Sequence, residues 1–210
     1  VSDDTLVRIP HGLVEQALKS APRAITVFDR DGSPAMRLGE GGCHVGTGSD
    51  CAFTWDPVTG ARRKAVLADV VDAVRLVDGL PGLDFLMSMF LPSDVPASRY
   101  ERCQMKAMLE ESTKPIVFCG IEEASTRWAV QMAAEAVGGP DALSRRPFVL
   151  NYVNTVSALR HNEESVQRLL YAAARGIPTI YAPANCRGTT APMSVAGMMA
   201  LGNAGQLAGL

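Results

Sequence analysis

The chain has 210 residues, 47% of them hydrophobic and 20% charged, a composition that supports a sizeable core in one large domain or two small ones. Its net charge of −2 leaves no basic footprint for nucleic acid or an anionic membrane, and no apolar run approaches the roughly 18 residues of a membrane span. Five cysteines without a CxxC pair, and an N-terminus (VSDDTLVRIP) lacking the basic and apolar regions of a leader, predict a reduced, cytoplasmic protein.

Ile9-Pro10 leads into HGLVEQALKSA, which has the pattern of a short amphipathic helix. The stretch AITVFDRDGSPAMRLGEGGCHVGTG then reads as short strands, with Asp31-Gly32 as a hairpin turn because glycine accepts positive φ. Asp56-Pro57-Val58-Thr59-Gly60 marks a second turn. Residues 1–65 are therefore expected to form an N-terminal helix and a small β-meander ahead of the main domain. Cys43-His44-x6-Cys51 lacks the paired ligand spacing of structural zinc, so no metal site is expected. Phe53 and Trp55 share one face of a strand in a chain with only 6% aromatic residues. They read either as a hydrophobic plug or as one wall of an aromatic cage.

From Val66 onward helices alternate with strands. VLADVVDAVRLVDGL carries apolar residues at 66, 67, 70, 71, 74 and 77, which is helical spacing. LDFLMSMF (83–90) is a predicted strand, and Ser98-x-x-Glu101 reads as a capping box opening a helix to about Glu111. PIVFCG (115–120) is the next strand, followed by a helix over 123–137 that Gly138-Gly139-Pro140 stops. PFVLNYV (147–153) is the third strand, and Asn162 caps another helix with Glu163 and Glu164 in its first turn. PTIYAP (178–183) is the fourth strand, and a last helix starts near Pro192.

The matching strand positions Phe85, Ile116, Val149 and Thr179 are separated by 31, 33 and 30 residues, the size of one strand–helix unit. Nearly continuous apolar strands at that period imply an α/β fold with parallel strands and right-handed crossovers. An open doubly wound sheet and a TIM (β/α)8 barrel both satisfy the pattern, and eight units need about 250 residues. Residues 66–210 hold four, so the expected architecture is the first half of a (β/α)8 barrel within a longer protein. Its two open strand edges make a homo-oligomer plausible for the chain as given.

Familiar chemical motifs are absent. No GxxxxGK[ST], GxSxG or HExxH occurs, and Gly46-Thr47-Gly48 neither completes GxGxxG nor lies between a strand and a helix. Asp94, Glu122 and Glu123 follow strands and read as helix-capping or solvated carboxylates in preference to general acids. Lys106 and Lys114 lie in or just after a helix, which counts against the Schiff-base lysine of an aldolase-type barrel.

In a barrel the carboxyl ends of the strands face the site. The longest and most polar of these ends is NYVNTVSALRH (151–161). Tyr152 and Asn154 share a strand face there. An Asn amide orients a carboxylate or carbonyl, and a Tyr ring flanks a cation. The competing reading is a turn-closing Asn and a packed Tyr. His161, at the start of the following helix, reads as a site residue or a cap, and Arg187 in NCRGTT as an anion contact or a solvated loop charge.

HVGTGSDCAFTWDPVTGARRKAVLADVVDAVRLVDGLPGLDF, PSDVP, TKPIVF, RPFVLNYVNTVSALRHNEES and GIPTIYAPANCRGTTAPMSVAG together resemble, in order, the trimethylamine methyltransferase family. The resemblance covers essentially the whole chain. It implies a TIM barrel with added N-terminal elements, in proteins about twice this length or more. It also implies one-carbon chemistry: methyl transfer from a methylated amine to the Co(I) centre of a separate, cognate corrinoid protein. The cobalamin belongs to that partner, so no tightly bound cofactor is expected here. Trimethylamine-specific members carry pyrrolysine in the later half of the barrel. The larger non-pyrrolysine branch acts on quaternary amines such as glycine betaine, and that branch is favoured. A quaternary ammonium needs no protonation before its neutral amine leaves, so the lack of a paired-carboxylate motif suits this chemistry. On this reading Phe53, Trp55 and Tyr152 flank the cation, and Asn154, with His161, binds a substrate carboxylate. A non-catalytic quaternary-amine-binding module and another TIM-barrel enzyme remain the alternatives.

Overall fold

The computed structural model describes residues 6–157 and 159–210; residues 1–5, half of the segment read for a leader, lie outside it. The N-terminal helix forms as α1 (His11–Ser20), with no residue buried. β1 (Ile25–Phe28) and β2 (Pro34–Leu38) make an antiparallel hairpin whose turn uses Gly32 at φ 90°. β3 (Phe53–Trp55) and β4 (Arg62–Lys64) make a second hairpin around the Asp56–Gly60 turn. These are two separate two-stranded ribbons rather than one meander.

The repeating part follows as α2 (Leu67–Asp78), an extended segment over 84–91, α3 (Tyr100–Glu111), β5 (Ile116–Cys119), α4 (Glu123–Ala136), the short α5 (Pro140–Arg145), β6 (Val149–Thr155), α6 (Glu163–Ala173), β7 (Thr179–Pro183) and α7 (Val195–Leu207). β5, β6 and β7 are parallel neighbours in chain order. The predicted strand at 83–90 survives only as isolated parallel bridges, Leu86 to Ile116, Phe85 to Gly46 and Phe90 to Cys51. Met89, at φ 55°, breaks the extended run. The sheet therefore continues past β5 through 84–91 to a fifth segment over 45–51. The GTG motif belongs to this parallel sheet and not to a meander. A Cβ on Gly46 would lie 2.4 Å from the Phe85 ring, so only glycine allows that approach. Thr47 completes the ladder with its side chain, its hydroxyl accepting from Met87 N–H at 2.8 Å.

The two sheet faces have different fates. Leu86, Ile116, Phe118 and Val149 pack with Val70, Val74, Met105, Met108, Val130 and Ala133, so α2, α3 and α4 cover one face. Helices α2, α3, α4 and α6 pack side by side along it. On the opposite face Val117 and Leu150 meet Val27 and Met36 of the first hairpin, with Phe85, Met87 and Tyr152 partly covered. That hairpin sits at the amino end of the strands, where Phe28 N–H bonds Pro147 C=O and Arg30 N–H bonds Thr113 C=O. The second hairpin sits at the carboxyl end, tied through Cys51 to Met89 and Leu91 and through Ala65 to Ser93. No helix among the described residues is long and apolar enough to cross a membrane.

Candidate functional site

The carboxyl end of the sheet carries a built frame. Arg63 donates to both Asp69 carboxylate oxygens at 2.7 Å and to Asp56 at 3.3 Å, locking the β3–β4 hairpin to the first turn of α2. Asp56 also accepts from the Thr59 N–H and hydroxyl and the Val58 N–H. The DP-x-TG-x-RR-x-A-x-LAD stretch is thus a structural clamp. The Thr59 N–H and hydroxyl, then Arg63, hold the Asp56 carboxyl down to about 2 from 3.8. Arg63 likewise lowers Asp69. Because these folded values lie below the unfolded ones, the clamp is complete above the ordinary carboxylate range. It is lost as pH falls towards 2. Protection factors of amides in 53–64 are therefore expected to collapse between pH 4 and pH 2, ahead of those in β5 and β6. A hairpin that stays as protected as β5 down to pH 2 contradicts this.

Most other strand-end carboxylates are structural too. Asp94 accepts the Leu67 N–H at 2.9 Å and so caps α2, and Glu123 pairs with Arg127 at 2.7 Å. The expected capping box at Ser98 does not form. The helix begins at Tyr100, and Glu101 instead reaches the loop after β5, accepting from Ile121 N–H at 2.8 Å and from the Ser125 hydroxyl. Asn162 stands at the N-cap of α6 but its side chain bonds Glu164. Lys114 donates to the carbonyls of Val77, Leu80 and Leu83 at 2.7, 2.7 and 2.8 Å. It sits at the amino end of β5, away from the carboxyl ends of the strands, which argues against a Schiff-base role. Among the described residues no three His, Cys, Asp or Glu side chains converge for a metal, and His44 lies 3.7 Å from Asp84.

The predicted site residues divide into three places. Tyr152 and Asn154 lie on the face of β6 that also carries Leu150, at its carboxyl end. Register sets Cys119 and Ile180 beside Tyr152, and Ala182 beside Asn154. Neither the Tyr152 hydroxyl nor the Asn154 amide has a hydrogen-bond partner among the described residues, and Asn154 is exposed. Burial pushes the Cys119 thiol up, against the nearby Arg168. Phe53 and Trp55 lie on the rim hairpin, 44% and 68% exposed. Their cross-strand partners are Lys64 and Arg62, and the Arg62 guanidinium stacks on Phe53 at 3.8 Å. One ring face is thus already occupied by a cation.

His161 is not brought together with Tyr152 and Asn154. It stacks on Tyr181, ring centroids 5.7 Å apart, and Nδ1 lies 2.5 Å from the Tyr181 hydroxyl. Tyr181 pairs with Val153, which places it on the helix-covered face. Burial raises the Tyr181 phenol, so it stays protonated in this contact. Arg187 lies in a tight loop closed by bonds to Cys186 C=O.

Sequence reasoning did not single out Arg168 on α6. It is 5% exposed and lies among Ser165, Tyr171 and Ala172 on the buried stripe of the helix. A charged residue on an otherwise inward-facing stripe is the signal that would have found it.

Compared with known proteins, residues 1–210 match the family described as trimethylamine methyltransferase (MTTB). The chain is 28% identical over 207 residues to a glycine betaine methyltransferase of Desulfitobacterium hafniense (strain Y51), covering 97% of this chain and 43% of the relative. It is 27% identical over 201 residues to trimethylamine methyltransferase MttB of Desulfitobacterium hafniense (strain DSM 10664 / DCB-2), covering 94% and 40%. The chain thus spans less than half the length of these curated relatives.

Proposed function

The chain belongs to the trimethylamine methyltransferase family, and on that premise we propose that it forms the first half of a (β/α)8 barrel whose mouth binds a methylated amine, of the betaine type, for methyl transfer to a partner corrinoid protein. The observation that carries this reading is the pairing of Tyr152 and Asn154 on one face of β6, with their polar ends unbonded among the described residues. The five parallel segments with helices on one face agree with a barrel wall.

The partner's corrinoid, when docked, supplies a nucleophilic Co(I) centre. The work left to this chain is binding and aim. The Tyr152 ring lies against the ammonium, and the Asn154 amide N–H donates to the carboxylate. Together they fix which methyl faces the mouth. A quaternary ammonium departs as a neutral amine, so no side chain has to deliver a proton. Trp55 forms an outer wall on the rim, and Phe53 serves there chiefly by holding Arg62. His161 is assigned to packing between α6 and β7. The cobalamin stays with the partner, and a cytoplasmic setting belongs to the same reading.

The recognition step is tested by calorimetry on the full-length protein with glycine betaine and its carbon isostere 3,3-dimethylbutanoate, which keeps the carboxylate and replaces the ammonium by an uncharged tert-butyl group. A cation-selective site binds the isostere about tenfold more weakly, the scale of one or two cation–π contacts. Equal affinity for both removes cation recognition from the account.

A further inference from the structure

β6 overhangs β5 at the carboxyl end. β5 stops at Cys119, paired with Tyr152, while β6 continues to Thr155. Phe148 C=O accepts from Ile116 N–H, so by the alternation of the strand the carbonyls of Tyr152 and Asn154 also point towards β5. Beyond Cys119 no β5 amide meets them. Two side chains of α6 do. Ser165, buried, donates its hydroxyl to Asn154 C=O at 2.7 Å. Arg168, 5% exposed, donates Nη2 to Tyr152 C=O. The two are three residues apart on one face of α6.

Arg168 is an unusual strut. Among the described residues no carboxylate lies within ion-pair distance of it, and its Nε has no partner. Burying a cation on these terms is costly, so a bond that a neutral side chain cannot replace offsets that cost only where it fixes something. What it fixes is the peptide between Tyr152 and Val153.

We propose that Ser165 and Arg168 are positioning residues: they replace the missing β5 ladder and set the peptide planes that aim the Tyr152 ring and the Asn154 amide at the amine. The proposal rests on the amine-site reading of those two residues, while the clamp itself is a separate physical claim. It is tested in the full-length protein with Arg168→Met, Arg168→Lys and Ser165→Ala, by hydrogen–deuterium exchange and by steady-state methyl transfer from glycine betaine. Protection of amides 153–156 is expected to fall about tenfold in Arg168→Met and about threefold in Ser165→Ala, with β5 unchanged. KM for the amine should rise about tenfold with kcat nearly unchanged, since an aim shared by ground and transition states affects binding. Arg168→Lys, which keeps one charged donor, should recover most of both. If Arg168→Met does not fold, Ser165→Ala decides alone. Unchanged protection at 153–156 overturns the clamp whatever the kinetics. Lost protection with an unchanged KM in an active enzyme overturns its link to the site. The expected exchange pattern in a wild type that transfers no methyl group supports the clamp and overturns the methyltransferase reading instead.

Discussion

Tyr152→Ala is expected to weaken glycine betaine binding by about 5- to 30-fold, the loss of a desolvated cation–π contact of roughly 1–2 kcal/mol. Tyr152→Phe, which keeps the ring, should bind normally, because the hydroxyl has no partner among the described residues. Asn154→Ala should cost about 1.5–3 kcal/mol, the range for a hydrogen bond to a charged group. That loss should fall on glycine betaine and not on choline, which lacks the carboxylate. Neither variant should move the unfolding midpoint by much, since Asn154 is exposed and Tyr152 half-buried. Loss of both ligands in Asn154→Ala would indicate a distorted mouth. Unchanged affinity in both alanine variants would remove the two residues from the site.

The second large effect lies at the other end of the sheet. Lys114→Met should destabilise the fold by about 2–3 kcal/mol, because three carbonyls that share one ammonium lose their donor together. Val77, Leu80 and Leu83 span the C-terminus of α2 and the turn into the 84–91 segment, so the loosened region should be that turn. A lower urea midpoint at constant slope, with activity per folded molecule unchanged, is the expected result. An unchanged midpoint with abolished activity would contradict the structural role given to Lys114.

Where sequence and structure agree, local chemistry settles the outcome. β5, β6 and β7 fall within two residues of their predicted ranges because each is an apolar run opened by or next to proline, at Pro115, Pro147 and Pro178. α2 follows from periodicity, α6 from the acidic residues of its first turn, and the hairpins from Asp-Gly and Asp-Pro turns. Where they differ, a distant partner decides. Glu101 has the spacing of a capping residue, but the bare amide of Ile121 competes for it and wins. Gly46-Thr47-Gly48 carries a short strand pattern with nothing to say which sheet it joins. Only the Phe85 and Met87 backbone shows that. The stop read at Gly138-Gly139-Pro140 ends α4 but also starts α5, since proline suits a first helical turn.

Of the proposed site, the strand face was legible in the sequence. The alternation that sets Tyr152 and Asn154 on one face is a property of any strand, so their neighbourhood could be read in advance. His161 could not be placed, because its face depends on how the loop after β6 returns to α6. Nor did strand alternation reveal that Arg62 would cover Phe53, since that required the hairpin register.

The central claim is methyl transfer from a quaternary amine held at this mouth. The most direct measurement is a single turnover of the full-length protein with glycine betaine carrying 13C in all three N-methyl groups and reduced corrinoid protein, followed by 13C NMR. The expected result is one labelled methyl on the corrinoid for each dimethylglycine formed, with the yield falling in step with binding in Tyr152→Ala. Betaine that binds but leaves an active corrinoid unlabelled would contradict the claim and identify the chain as part of a binding module.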